Sequence, residues 1–316
     1  MDIKHIVRSG IRLLTDADYR FSILAGKGVY NDMSDEEYLR RLYKIKVGKE
    51  LNLENPQTFT EKLNWLKIYD RNPRYTMLAD KYRVRQWVAE TIGEEYLVPL
   101  IGVFDKADEI DFDSLPDKFV LKCTHNSGEG MCLCRDKSQL NKAEVVSGLN
   151  AALKHNYYPA SREWAYKNIA PRIICEEMLE CEKVDELLYT IVNYKFYCFN
   201  GEPRFLYVAI DDTDNGKKGG TKLNIIDLNW EKTPFYRTDH APIEAEIKKP
   251  ELFDTMIEIS EKLAQGFPFA RVDLYYVNDK IYFSEMTFCP GAGIAPFSPP
   301  EWERKIGSWI NLPDKN

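Results

Sequence analysis

The chain has 316 residues, 44% hydrophobic and 29% charged, which is enough apolar material for one large or two modest packed domains and excludes disorder as its main state. Its 43 Lys and Arg against 50 Asp and Glu leave a formal charge of -7, so there is no general excess of positive charge to hold nucleic acid. No stretch approaches the roughly 20 apolar residues of a membrane-spanning helix, and MDIKHIVRSGIRLL lacks the apolar core and cleavage site of a secretion signal, so a cytoplasmic protein is expected.

The N-terminal segment KHIVRSGIRLL is expected to be a capping helix of the fold, with a weak interfacial or partner-binding helix as the alternative. Ser34 can cap DEEYLRRLYKI, and Thr58 can cap FTEKLNWLKIY with Glu61 at the capping-box position. Asp80 is expected within a helix running towards Gly93, and Lys81 beside it has the composition of a solvated surface lysine. No strand-glycine-helix pattern of the GxGxxG type occurs here, so the first hundred residues are expected to be a helical cap or a substrate-side subdomain.

After Pro116 the periodicity becomes strand-like, in KFVLKC, MCLC, RIIC, LYTIVNYKFYCF, RFLYVAI, KLNIID, FARVDLYYV and KIYFSEMTF. Helices are expected around residues 142 to 154 and in ELFDTMIEISEKLAQ, which ends at Gly266. Strands in hairpin order with a few packed helices predict an α+β fold with antiparallel sheets. The seven cysteines, odd in number and mostly in apolar runs with no CxxC pair, predict buried thiols rather than disulfides or a zinc site.

Several groups of residues carry chemistry. Thr124 to Gly130 join two apolar strands, and the glycines allow consecutive N–H groups to face a polyphosphate, with Lys122 on the entering strand adding a charge; an exposed hairpin loop is the alternative. Lys195 lies in the apolar run NYKFYCF, where a buried ammonium needs an anion, unless it is an edge lysine reaching for water. CEEMLE, after RIIC, is either a hinge whose backbone reads a base edge or a plain exit from the sheet.

The most informative region is ARVDLYYVNDKIYFSEMTFCPGAG. Arg271, Asp273 and Tyr275 share one face of their strand, and Ile281, Phe283, Glu285 and Thr287 are expected on one face of the returning strand. An even turn, Asn278-Asp279, would pair Asp273 with Ser284. The odd turn, Asn278-Asp279-Lys280, is the one expected, and it pairs Asp273 with Glu285 and Arg271 with Thr287. Two facing carboxylates destabilise a hairpin unless a cation lies between them, which argues for Mg²⁺ over zinc; an acidic face relieved by Arg271 is the alternative.

In order along the chain, Asp80-Lys81, Lys122 with its glycine loop, Glu176-Glu177, Lys195, Arg271-x-Asp273 and Glu285-x-Thr287 before Pro290-Gly291 resemble the ATP-grasp superfamily. NPQTFTEKLNWLKIYDR, LADKYRVRQWV, LPDKFVLKCTHNSGEG, YKFYCFNGEP and RVDLYYVNDKIYFSEMTF are similar to its teichuronopeptide-synthesis (TupA-like) branch over about residues 50 to 312. The resemblance implies a helical N-terminal region (1–95), a nucleotide-binding subdomain with glycine-rich loop and hinge (96–190) and a metal-binding catalytic subdomain (191–316), the last two sandwiching the nucleotide.

The resemblance further implies that Lys81 and Lys122 meet the α- and β-phosphates of ATP and that Asn126, Ser127, Gly128 and Gly130 belong to a loop covering the phosphates. Adenine would lie against Glu176, Glu177, Met178 and Leu179, with Glu182 or Asp185 on the ribose. Lys195 would approach the γ-phosphate, Arg271 would stabilise an acyl-phosphate and its tetrahedral successor, and Asp273 and Glu285 would hold one or two Mg²⁺. Thr287 replaces the asparagine common at the second metal position. The implied reaction joins a carboxylate to an amine, with a surface polysaccharide or its precursor as the substrate expected from the branch.

The alternative is a glycosyltransferase using Asp212-Thr213-Asp214, a DxD triplet of the kind that holds a metal and a nucleotide sugar. Its setting, DDTDNGKKGG, has the composition of an exposed turn. A nucleotide-binding subunit without turnover is a third reading, favoured only by Thr287.

Overall fold

The structure, a computed structural model, describes residues 15–126, 130–183, 189–214 and 217–315. KHIVRSGIRLL lies outside the described residues. Helix α1 (Ala17–Ala25) is followed by α2 (Asp35–Val47), which starts where the Ser34 hydroxyl accepts the Glu37 N–H and stops at left-handed Gly48. Helix α3 (Phe59–Tyr69) opens on the expected capping box of Thr58 and Glu61.

The helix expected through Asp80 does not form. It splits into α4 (Arg74–Ala79) and α5 (Val84–Thr91), because Asp80 turns extended and its carboxylate accepts the N–H groups of Tyr82 and Arg83. A short acidic side chain competes with the helical backbone for its own neighbours' donors. Lys81 therefore sits in the break, where its N–H donates to the Thr124 carbonyl 3.2 Å away.

Strand β1 (Leu100–Phe104) lies before the point where the periodicity predicts strands to begin; five residues between short turns give too little alternation to mark it. It joins β2 (Phe119–Cys123), β3 (Met131–Cys134) and, beyond α6 (Lys142–Leu153) and the short α7 (Tyr158–Ser161), β4 (Ile173–Glu177) in an antiparallel sheet of order β1-β4-β2-β3. Phe119, Leu121, Cys123, Ile173 and Cys175 pack on one face with Leu149 and Ala152 of α6. By strand alternation Lys122, Ile174 and Glu176 point the other way.

A small hairpin, β5 (Glu182–Lys183) and β6 (Tyr189–Thr190), leads to the larger sheet. This contains β7 (Asn193–Phe199), β8 (Glu202–Asp214), β9 (Lys217–Asp227), β10 (Phe269–Val277) and β11 (Lys280–Thr287), all antiparallel in the order β11-β10-β7-β8-β9. Helix α8 (Phe253–Ala264) buries Phe253, Met256, Ile259 and Leu263 against Phe196, Leu206, Val208 and Val272 on one face. The opposite face, with Tyr197, Phe199, Phe205 and Phe269, is covered by α2, α3 and the C-terminal α9 (Pro300–Ser308). The N-terminal helices thus share their core with the last third of the chain.

Helix α9 crosses the start of α3 at Gly307, where an added Cβ would stand 2.3 Å from the Gln57 carbonyl oxygen and 2.7 Å from the Phe59 nitrogen. Gly307→Ala is expected to cost about 2 kcal/mol through overpacking against backbone that has nowhere to move. Chemical denaturation checks this, and an unchanged midpoint would reject the close contact.

Candidate active site

The β10–β11 hairpin brings the expected residues together by an unexpected route. The turn is the two-residue one: Val277 pairs with Lys280, and Asn278 and Asp279 both take left-handed φ, 51° and 57°, as a type I′ turn requires. Continued without interruption, that register would set Asp273 opposite Ser284. A β-bulge after Asp273 absorbs one residue of β11, and Asp273 faces Glu285 while Arg271 faces Thr287. The bulge also overturns the expected common face: Ile281 and Phe283 join the core with Leu274 and Val272, whereas Glu285 and Thr287 turn to the side of Asp273.

Asp273 is fully buried and triply bonded. Arg271 donates Nε to Oδ1 at 2.6 Å and Nη2 to Oδ2 at 2.7 Å, and Lys195, its cross-strand partner on β7, donates Nζ to Oδ2 at 2.6 Å. The anion predicted for Lys195 is therefore Asp273. Arg271 Nη2 also reaches Glu285 Oε1 at 3.1 Å and Thr287 Oγ1 at 2.9 Å. Burial opposes charge on Glu285, but Lys81, Arg271 and Lys195 outweigh it and hold the carboxyl below its usual range. Arg271 is likewise kept firmly charged against burial, chiefly by Asp273.

Across the cleft, Lys122 of β2 donates to Glu176 Oε2 at 2.8 Å, and Arg85 of α5 donates to Glu176 Oε1 at 2.8 Å and to the Val98 carbonyl at 2.8 Å. Burial disfavours the Lys122 charge, yet Glu176 more than compensates and the pKa is raised. Lys81 donates to the Asn126 carbonyl at 2.6 Å, which ties the helix break to the start of the glycine loop; its pKa is lowered, first by burial. The Asn126 amide donates to the Ala152 carbonyl. Gly130 closes the loop at φ 64°, where a Cβ would lie 2.6 Å from Cys123 Sγ. Ser127 and Gly128 lie outside the described residues.

A cavity of about 170 Å³ opens between the two sheets, lined by Lys81, Arg85, Lys122, Glu176, Tyr275 and Glu285 among others. Around it stand five cations (Lys81, Arg85, Lys122, Lys195, Arg271) and three carboxylates (Glu176, Asp273, Glu285), an excess of two positive charges that suits a polyanion. Glu176 turns its side chain into this cleft as the partner of two cations. Glu177 is exposed at the end of β4, its N–H bonded to the Pro99 carbonyl, and Met178 and Leu179 are half-buried after it. Asp185 and the side chain of Glu182 lie outside the described residues.

Asp212-Thr213-Asp214 stand at the end of β8, paired in backbone with β9, and not in the exposed turn expected for them. The backbone pairing of β8 with β9 continues to Asp214 and Lys217, and composition alone does not distinguish such a hairpin end from a turn. Their side chains are outside the described residues. Among the described residues the cysteines are free, five buried and two half-buried, and no three metal-binding side chains of the His, Cys, Asp and Glu set cluster.

Sequence reasoning missed a polar stripe on α3. Asn64 Nδ2 donates to the Gly293 carbonyl at 2.7 Å, and Lys67, fully enclosed, donates to the carbonyls of Ala292 at 2.6 Å and Ser161 at 2.9 Å. Thr60 donates to Glu303 Oε2, whose other oxygen accepts the Phe297 N–H. The stripe thereby holds the turn Pro290–Gly293 that follows Thr287. Its spacing, Thr60, Asn64 and Lys67, follows one helix face, and that face was the available signal. Arg85 left no comparable trace.

Two antiparallel sheets closing on a cationic cleft, with paired carboxylates on the last hairpin, are the architecture of ATP-grasp proteins. A family model described as TupA-like ATPgrasp matches residues 61–311, and the chain belongs to that family. Comparison with curated proteins found no match. Among solved structures, the D-alanine-D-alanine ligase of Helicobacter pylori is similar at 12% identity and TM-score 0.42, covering 80% of this chain and 69% of its own. The ATP complex of the Bacillus anthracis D-alanine-D-alanine ligase has 14% identity and TM-score 0.41, with 87% and 83% covered. The N5-carboxyaminoimidazole ribonucleotide synthetase of Thermus thermophilus has 12% identity and TM-score 0.35, with 67% and 45% covered. No helix among the described residues is long and apolar enough to cross a membrane.

Proposed function

We propose that the protein is an ATP-dependent carboxylate-amine ligase working through an acyl-phosphate, and that it joins an amine or amino acid to a uronic-acid-containing polysaccharide or its precursor. The observation that carries the reading is the single hydrogen-bonded cluster of Arg271, Lys195, Asp273 and Glu285 on the cleft side of the larger sheet, facing Lys122 and Lys81. The polysaccharide part rests on family resemblance.

Magnesium fits the donor set. Asp273, Glu285 and Thr287 offer only oxygen, Glu285 is kept ionised, and two carboxylates completed by phosphate oxygens are a usual magnesium arrangement. Bound with ATP, the ion supplies neutralisation of the phosphate oxygens as charge builds on them. Lys122 from the smaller sheet and Lys81 from the helix break beside it position the inner phosphates. Lys195 neutralises the γ-phosphoryl oxygens while the substrate carboxylate attacks phosphorus and ADP leaves. Arg271 then stabilises the oxyanion formed when the amine adds to the acyl carbon; phosphate departs and the nitrogen loses a proton. Exclusion of water from the activated acyl group is assigned, on family resemblance alone, to the loop after Lys122.

The test is a coupled ADP-release assay with mixed uronates and amino acids. Turnover is expected to require both substrates, to fall by about 10²-fold in Lys195→Met and to survive Asp212→Asn. Activity lost in Asp212→Asn, with a sugar nucleotide consumed and no ATP hydrolysed, would establish a glycosyltransferase instead.

A further inference from the structure

We propose that the nucleotide-free protein masks its own metal ligands: Arg271 and Lys195 occupy both oxygens of Asp273 and one of Glu285, so a divalent cation binds only once a polyphosphate has drawn those two side chains away. The inference rests on the reading of Asp273 and Glu285 as metal holders and adds an order of events to it.

The contacts leave little choice. Asp273 is 0% exposed, and each of its oxygens already accepts at 2.6 to 2.7 Å from a charged donor. Arg271 fastens the opposite strand as well, through Glu285 Oε1 and the Thr287 hydroxyl. Glu285 alone keeps partial access, with its side chain 33% exposed. A single accessible carboxylate holds a hard, strongly hydrated dication weakly.

The charges explain why masking is the resting arrangement and why ATP reverses it. Two cations and two carboxylates form a quartet with no net negative charge, and Lys81, Arg85 and Lys122 against Glu176 leave the cleft positive. An approaching dication therefore meets no attraction and must displace a charge-assisted hydrogen bond for every oxygen it gains. A triphosphate offers Arg271 and Lys195 an alternative anion. Their transfer to it frees the carboxylate oxygens at the moment the phosphate oxygens needed to complete the coordination arrive. Affinity for the ion in the free protein is reduced by the fraction of molecules in which the carboxylates are released. The metal would accordingly enter with the nucleotide, and the unliganded pair would resist adventitious divalent ions.

Mn²⁺ binding to the nucleotide-free protein, followed by the electron paramagnetic resonance of free Mn²⁺, tests this without turnover. Lys195→Met is expected to bind Mn²⁺ at least about tenfold more tightly than the wild type, and the gain should vanish in Lys195→Met combined with Asp273→Asn. Arg271→Met offers an independent unmasking should the first variant fold poorly, as judged by its thermal transition. Equal Mn²⁺ affinity in the wild type and both unmasked variants would overturn the proposal. With a non-hydrolysable ATP analogue present, the wild type should retain protein-dependent Mn²⁺ that Asp273→Asn lacks. No such difference would overturn the metal reading itself, and with it the masking, whereas tight binding to the free wild type overturns the masking alone.

Discussion

Replacing Asp273 by Asn is expected to reduce ADP formation by about 10³-fold and to lower the stability of the nucleotide-free protein by about 3 kcal/mol. Both effects follow from one carboxylate. In catalysis it is the deeper of the two groups that would hold magnesium, and an amide is a poorer, uncharged ligand. In the resting protein it is the common acceptor of Arg271 and Lys195, whose side chains are only 13% and 18% exposed. Removing one partner from a buried ion pair leaves the other charges without compensation, and that is where the cost arises. Steady-state rates and denaturant unfolding check the two halves separately. Near-normal turnover would remove Asp273 from the mechanism, and an unchanged unfolding midpoint would show that the two cations find water in its absence.

The second large effect is expected at Lys67, on the buried face of α3 that holds the turn after Thr287. Lys67→Met should destabilise the protein by about 2 kcal/mol, because the carbonyls of Ala292 and Ser161 lose their donor inside the core, while relief of the buried charge offsets part of the loss. It should also lower turnover, since Lys67 and Asn64 hold the turn Pro290–Gly293 that directly follows the strand of Glu285 and Thr287.

The same residue has a pH signature. Burial lowers the Lys67 pKa below its ordinary 10.5, with Cys289 and Glu163 opposing. Between the folded and unfolded values the unfolded chain binds more protons, so this lysine contributes stability that grows as pH rises through that window and is least below it. Lys67→Met should lack that alkaline gain. Parallel unfolding curves for the two proteins from neutral pH to about pH 10 would contradict the account.

The β10–β11 hairpin shows how far pattern reading reaches. Alternation alone leaves Asp273 opposite either Ser284 or Glu285, and the expected pairing with Glu285 depends on a three-residue turn that the structure does not have. The two-residue turn and a bulge arrive at the same partners, and a bulge in mid-strand has no compositional mark and shifts every later side chain to the other face. The break at Asp80 went unread for a related reason: the apolar spacing continues across it, and only the hydrogen bonds from Tyr82 and Arg83 reveal that the side chain has taken over from the helix.

What the sequence determined unaided is the chemistry and its order: strands from Phe119 onward, a glycine loop after Lys122, a lysine that needed an anion, and two carboxylates on neighbouring strands. These are local properties, set by side-chain type and by a period of two residues. Only the tertiary structure decided the partners: Lys195 with Asp273, Glu176 with Lys122 and Arg85, and the α3 stripe with the turn beyond Thr287. Such pairings join residues tens to hundreds of positions apart. Their energy depends on which buried groups meet away from water, and that is settled when the sheets and helices pack.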